Sequence, residues 1–311
     1  MNLHQLRFIR EAVRQNFSLT EAARALFTSQ PGVSKAIIEL EEELGIQIFQ
    51  RHGKRIKALT APGRLVVESA EKILAELENL KRIGAEYAAR ESGELRIAAT
   101  HTQARYVLPP VVASFRQRYP NVRLALLQGV PQQLVDWVRT DQADLAIATE
   151  ALAQSPDMVT LPCFDWEHSV VAPLGHPVLE QPLSVQSLAA HPLITYERAF
   201  AGRGKIDAGF QAAGLNPEII LEAIDADVIK TYVGLGLGVG IIASMAFDPQ
   251  KDHPLVGIKA GHLFGHNTTR IGIRQGVFMR QLMYDFIGLF APRLNQVLID
   301  RVLAGGADYE I

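Results

Sequence analysis

A change of grammar near residue 92 constrains this chain more than any other feature. Before it, apolar residues recur at helical spacing; after Gly93, short apolar runs alternate with helical segments. The runs at 95–98, 122–127, 143–148, 169–172, 193–196, 219–221, 239–242 and 270–273 read as strands. Helices read at 111–119, opened by Pro109-Pro110, and at 132–138. This alternation predicts an α/β domain built on a parallel sheet. At 311 residues the chain has room for that domain, in two lobes around a ligand cleft, plus a separate helical head.

The head reads as short helices. Leu3, Leu6, Phe8, Ile9 and Val13 suit one amphipathic helix. Ser18-Leu19-Thr20-Glu21 has the form of a capping box, in which Glu21 reaches back to Ser18, and it opens a helix through Ala22, Ala23, Ala25 and Leu26. Ser29 caps the next helix, with Pro31 in its first turn, Val33, Ile37, Ile38 and Leu40 facing inward, and Leu44-Gly45 as its end. Two helices joined by a tight turn, the first with a small-residue face, make a helix-turn-helix. Thr28, Ser29, Gln30, Pro31, Ser34 and Lys35 then lie at the end that meets base edges in a major groove.

Charge supports that reading locally. The whole chain has a formal net charge of −2, which by itself announces no nucleic acid. Between Arg51 and Arg64, however, Arg51, Lys54, Arg55 and Lys57 occur with no acidic residue. A hairpin turning at Gly53 would make them a wing on the phosphates, with Arg51, Lys54 and Arg55 as contacts. From Thr60 a long helix follows, and Val66, Ala70, Ile73, Leu77, Leu80 and Gly84 repeat as a coiled-coil seam. We read it as a dimer seam, the alternative being a helix packed on its own head. The segment from Ala88 to Gly93 reads as a hinge. No 18-residue apolar run and no apolar N-terminal core occur, so no membrane partner and a cytoplasmic location are expected.

These residues carry a resemblance. Thr20-Glu21-Ala22-Ala23 and Thr28-Ser29-Gln30-Pro31-Gly32-Val33-Ser34-Lys35 resemble the winged helix-turn-helix of LysR-type transcriptional regulators. Thr100-His101-Thr102-Gln103-Ala104-Arg105-Tyr106, 146–150, 161–163, 225–232 and 236–240 are similar to the CysB/Cbl branch of that family, which controls sulfur assimilation. The resemblance implies a winged head at 1–60, a linker and dimerisation helix with hinge at 61–91, and an effector domain at 92–311. That domain would be of the periplasmic-binding-protein type, with lobe I at 92–162 and 266–311 and lobe II at 163–265. It also implies a homodimer or homotetramer on double-stranded promoter DNA, RNA polymerase as a further partner, and a small anionic effector. Sulfate, thiosulfate, adenosine phosphosulfate and acetylserine are the candidates.

The resemblance places the effector at Thr100, Thr102, Gln103, Thr149, Ala201 and Gly202. Thr100 and Thr102 follow the first strand and Gln103 begins a helix, so hydroxyl, amide and helix N-terminal groups would hold an anion without a buried cation. A plainer role for Thr102 is an N-cap. Thr149 ends another strand on the same rim, and Trp166 and Glu150 are further candidates to line the cleft. His101, beside it, reads as a hydrogen-bonded lining residue.

Other chemistries find less support. The single cysteine, Cys163, sits in an apolar context and reads as a structural thiol, not a nucleophile. Gly234 to Gly240 lacks the spacing of a nucleotide loop and reads as close packing. The nine histidines show no metal-ligand spacing, so no metal, cofactor or catalytic group is expected. An anion-binding sensor without sequence-specific DNA binding is the alternative function.

One position departs from the family pattern. Phe200-Ala201-Gly202-Arg203 has alanine where the family usually has threonine. Without that hydroxyl, one donor to a charged ligand is lost, which costs about 1.5–3 kcal/mol. Calorimetric titration with sulfate should therefore show Ala201→Thr binding about ten- to hundredfold tighter than wild type; equal affinities would contradict the assignment.

Overall fold

The computed structural model describes residues 1–53, 55–88, 93–149, 152, 155, 158–198, 200 and 202–305. They form two units, Met1–Ala85 and Glu86–Ile311. Among the described residues, no helix is long and apolar enough to cross a membrane.

The first unit holds α1 (Leu3–Arg14), α2 (Leu19–Ala25), α3 (Gln30–Leu44), the hairpin β1 (Phe49–His52) and β2 (Arg55–Leu59), and most of α4 (Ala61–Ala88). Asn2 and Gln5 cap α1 reciprocally. Ser18 Oγ accepts from the Glu21 N–H, but the Glu21 carboxylate turns to Arg24 at 2.7 Å, so only half of the expected box forms. A charged neighbour three residues on outbids a neutral amide. Gly45, at φ +66°, ends α3, and Gly53, at φ +60°, turns the wing. The core joins Leu6, Ile9, Ala23, Val33, Ile37, Leu40, Ile48 and Phe49. Ile38, expected inward, is exposed, because Ile37 takes the inward position and the next residue lies about 100° round the helix.

The seam expected along α4 divides. Val67, Ala70 and Leu74 enter the head core and Val66 packs against it. Leu65, Ile73 and Leu80 are exposed. The early turns of α4 are thus packed on their own head, and the later ones keep an apolar face.

One buried carboxylate fixes the wing. Glu41 Oε1 accepts the N–H groups of Ile48 (2.8 Å) and Phe49 (3.1 Å), and its Oε2 pairs with Arg51 at 2.8 Å. The chain entering β1 therefore needs a side chain of α3 to satisfy its backbone.

The second unit starts with β3 (Gly93–Ala99), a π-wound turn (Gln103–Val107) and α5 (Leu108–Arg118). Then come β4 (Val122–Gln128), α6 (Pro131–Arg139), β5 (Leu145–Ala148), β6 (Met158–Pro173), α7 (Val185–Ala189), β7 (Leu193–Tyr196) and α8 (Arg203–Ala212). It ends with β8 (Ile219–Ala223), α9 (Ala226–Gly234), β9 (Val239–Ala243), β10 (Leu255–Lys259), α10 (Gly261–Phe264), β11 (His266–Arg274), α11 (Gln281–Phe290) and α12 (Gln296–Leu303). The strand order is β4-β3-β5-β11-β6-β9-β7-β8, with β10 also on β6.

The sheet is mixed, not all parallel as expected. β3, β4 and β5 run parallel in one lobe, and β7, β8 and β9 in the other. The long strands β6 and β11 pair antiparallel from Met158–Arg274 to Glu167–His266. A chain that crosses from lobe to lobe and returns must do so in opposite directions. Polar residues at Asp165, Glu167 and His168 hid most of β6 in the sequence, where only 169–172 read as strand. Each lobe has cores on both sheet faces, centred in lobe I on Phe115–Phe286 and Leu134, and in lobe II on Phe210 and Ile229. The glycine run packs closely only in its second half: a Cβ at Gly240 would lie 2.6 Å from Val171 and one at Gly238 2.5 Å from Pro192 O, whereas Gly234 and Gly236 have open space around them.

Glu41→Ala would orphan two buried backbone N–H groups at about 1–3 kcal/mol each. Urea unfolding should show the head transition destabilised by at least about 2 kcal/mol, with the transition of the second unit unmoved.

Candidate functional site

The head presents one polar face. Thr28, Ser29, Gln30, Pro31 and Lys35 are exposed and Ser34 is half-buried, all within the first turns of α3 or just before it. Ser29 Oγ is spent on the Gly32 N–H at 3.2 Å, so it serves as cap first. Lys35 makes only a loose 3.7 Å pair with Glu39, both exposed. Phe27 stands 98 % exposed at φ +51°, in the turn before them. Beside α3 a groove of about 440 Å³ runs between the start of α2 and the wing, lined by Asn16, Ser18, Thr20, Gln30, Arg55 and Lys57 among others. Arg55 and Lys57 are exposed there.

Arg51 is anchored by buried Glu41 through one guanidinium nitrogen at 2.8 Å and keeps a quarter of its side chain exposed. Lys54 lies outside the described residues. Asn16, Thr20 and Phe27 were missed, because only the fold brings them beside the wing and the end of α3.

In the second unit, Thr100, Thr102, Gln103 and Thr149 converge. With Trp166, Tyr196, Phe200 and Ala243 they line a small cavity of about 20 Å³ between the lobes. Among the described residues, none that lines it is charged. Thr100, Gln103, Thr149 and Trp166 are buried. Gln103 Nε2 donates to Thr269 Oγ1 at 3.0 Å, while Gln103 Oε1, Thr149 Oγ1 and Trp166 Nε1 have no hydrogen-bond partner among the described residues. Each such group costs about 1–3 kcal/mol, so the cavity is built to receive something polar.

Several expectations change in detail. The Thr100 N–H is taken by Ile147 O at 3.2 Å and belongs to the sheet. Thr102 is not a cap; its hydroxyl bonds Tyr196, whose oxygen also accepts the Ala243 N–H at 3.0 Å. The helix starts at His101, one turn of it from Gln103 to Val107 is π-wound, and α-winding resumes at Leu108. Pro109 and Pro110 lack the N–H groups that would close regular α-turns on Arg105 and Tyr106. Gly202, at φ +91°, lies at the start of α8, where a Cβ would come within 2.7 Å of His168 and 3.1 Å of Trp166. It therefore touches the wall behind the cavity without lining it. Ala201 and Glu150 lie outside the described residues. His101 does not line the cavity; its Nδ1 contacts Gln128 and its Nε2 lies 4.0 Å from Asp225.

Comparison with known proteins places both halves. The family model described as the LysR substrate binding domain matches residues 88–294, and that of the bacterial regulatory helix-turn-helix protein, lysR family, matches 3–64. The chain belongs to the LysR family of transcriptional regulators. The HTH-type transcriptional regulator CysB of Burkholderia cenocepacia is 59 % identical over the full length of both chains. SsuR of the same organism is 51 % identical over 97 % of this chain and 99 % of its own, and cbl of Escherichia coli 44 % over 100 % and 99 %. The cofactor-binding domain of the Cbl transcriptional regulator superimposes with a TM-score of 0.66 at 42 % identity, covering 68 % of this chain and 93 % of that one. Full-length CbnR complexed with its target DNA shares the fold, with a TM-score of 0.58 at 19 % identity, over 93 % of this chain and 99 % of that one. The matched relatives are regulators, not enzymes, and this LysR protein is one as well.

In this LysR effector domain, two further polar residues lie behind the cavity. His168 and Asn267 are buried on the β6–β11 pair, with both ring nitrogens and both amide atoms lacking a protein partner. His168 packs edge-on against Trp166 and Phe264. Nothing in the sequence distinguished them, because strand burial decides their role. Burial pushes the Cys163 thiol up to about 12 and its Sγ–H donates to Leu161 O, as befits a structural group.

Burial, with a smaller effect of nearby Lys205, pushes the His168 imidazole down to about 4 from its ordinary 6.5. The unfolded chain thus binds the proton more readily, so stability is complete above about pH 6.5 and is lost as pH falls toward 4. The loss is of the order of 3 kcal/mol. Denaturant unfolding of wild type against His168→Phe between pH 7 and 4 should show a shallower pH dependence in the variant; parallel curves would contradict a buried neutral imidazole.

Proposed function

We propose that this LysR-type regulator controls genes of sulfur metabolism, for cysteine biosynthesis or for sulfate and sulfonate use, in response to a small sulfur-related effector. Its full-length likeness to CysB, SsuR and Cbl supports the field of action. The observation that carries the effector reading is the trio of buried, unpartnered groups, Gln103 Oε1, Thr149 Oγ1 and Trp166 Nε1, around a cavity without charge. Sulfate or thiosulfate meets Thr149 and Trp166 as donors. An effector that carries its own N–H or O–H, as acetylserine does, satisfies Gln103 Oε1 as well. Adenosine phosphosulfate needs the lobes to part further.

The DNA end uses Thr28, Gln30, Ser34 and Lys35 in the major groove, with Arg55, Lys54 and Lys57 on phosphates. The exposed Leu65, Ile73 and Leu80 on α4 favour a second copy of the chain, hence a homodimer or homotetramer on a palindromic promoter site. RNA polymerase would be met in that assembly. The effector acts by population shift, to the extent that its affinity differs between the arrangements on DNA. A sensor that binds anions without reading DNA is disfavoured, because Gln30 and Lys35 stand exposed together at the start of α3.

A gel-shift titration on promoters of its own sulfate-uptake and cysteine genes tests this. Binding should fall steeply with salt. Gln30→Ala should relax sequence preference at a cost of about 1–3 kcal/mol on the specific site, whereas Arg55→Ala should weaken specific and random DNA alike. Equal losses on both DNAs for both variants would sink the division of roles.

A further inference from the structure

The stretch that carries Gln103 also bridges the two lobes. From 101 to 106 it reaches the start of α9 on the opposite lobe. Tyr106 donates its hydroxyl to Asp227 Oδ1 at 2.8 Å, and Arg105 Nε donates to Asp227 Oδ2 at 3.2 Å. Lys230 backs the same carboxylate at 3.2 Å, is itself anchored by Asp252 and Ala246 O, and lies 5.4 Å from the centre of the Tyr106 ring. The Tyr106 ring packs against the lobe II core. Arg105 is well exposed, so its share is small; the half-buried tyrosine bond dominates.

Two observations turn this contact into a gate. The cavity is narrow and Gln103 is one of its walls, so a shift of the stretch 103–107 changes the space that a tetrahedral oxyanion would fill. The residue that faces the cavity and the residues that bridge the lobes also share one π-wound turn of five residues, Gln103–Val107. Moving Tyr106 away from Asp227 moves Gln103.

We propose that Asp227 is a positioning residue of the effector site: its bond to Tyr106 holds the π-turn, and Gln103 with it, closed over the cavity, and must break for an effector to enter or leave. The proposal rests on the reading that this cavity takes the effector. The carboxylate is suited to the task. Burial works against its charge, but the hydrogen bonds from Tyr106, Arg105 and Lys230 outweigh that and hold it below its ordinary value, ionised at neutral pH.

Hydrogen exchange on the full chain, without added ligand, tests the latch. Tyr106→Phe keeps the ring and removes only the hydroxyl; Asp227→Asn keeps the shape and removes the charge. Both should raise exchange of peptides covering 100–108 and 224–232 by about ten- to hundredfold, the worth of one hydrogen bond to a charged group, with 3–44 unchanged. Stopped-flow tryptophan fluorescence with inorganic sulfate, in a Trp137→Phe background, should then show sulfate leaving faster by a similar factor. Unchanged exchange at 100–108 in both variants would overturn the latch, as would a lowered melting temperature with unaltered sulfate release. Faster exchange with no sulfate signal even in wild type would uphold the latch and refute sulfate as the ligand.

Discussion

β6 and β11 cross between the lobes in opposite directions, and this antiparallel pair is what the effector half depends on. It joins two parallel sheets into one, so a movement of either lobe is a movement about these two strands. It also sets Trp166 opposite Asn267, with His168 two residues further on the same face and Thr269 where Gln103 can reach it. Strands buried on both faces carry apolar side chains as a rule. Here they carry polar ones, and the exceptions collect beside the cavity.

If the cavity takes an anion as proposed, that collection lets it do so without a cation. A buried lysine or arginine would need a partner whenever the ligand left, or would pay a large desolvation cost. Hydroxyls, an amide and an indole N–H carry a smaller penalty when unfilled, so the site can cycle between filled and empty states. On the proposed reading, the effector half acts on the head by favouring one arrangement of the assembly over another, which requires only a modest difference in affinity.

Much of this was legible in the sequence, and the rest was hidden for physical reasons. Ser29, Pro31 and Gly45 mark α3 because capping and φ preferences act within a few residues. Thr100, Gln103 and Thr149 were legible because strand ends are local features and the family pattern named them. The crossing strands were not, since polar residues buried on β6 break the apolar pattern. Glu41 was not either: a glutamate on a helix reads as solvated, and only the return of 48–51 against α3 buries it. The same return pairs Arg51 with Glu41. The Tyr106–Asp227 bond joins residues 121 positions apart, and nothing in local composition pairs them.

The central claim is that an effector oxyanion sits between the lobes on uncharged groups. Crystals of the effector domain soaked with sulfate or thiosulfate, with sulfur located by anomalous scattering, test it most directly. The account predicts a tetrahedral peak within hydrogen-bond reach of Thr149 Oγ1 and Trp166 Nε1, with Thr100, Thr102 and Gln103 around it. Water alone in that cavity at saturating ligand, or a sulfur peak only at surface arginines and lysines, would contradict it.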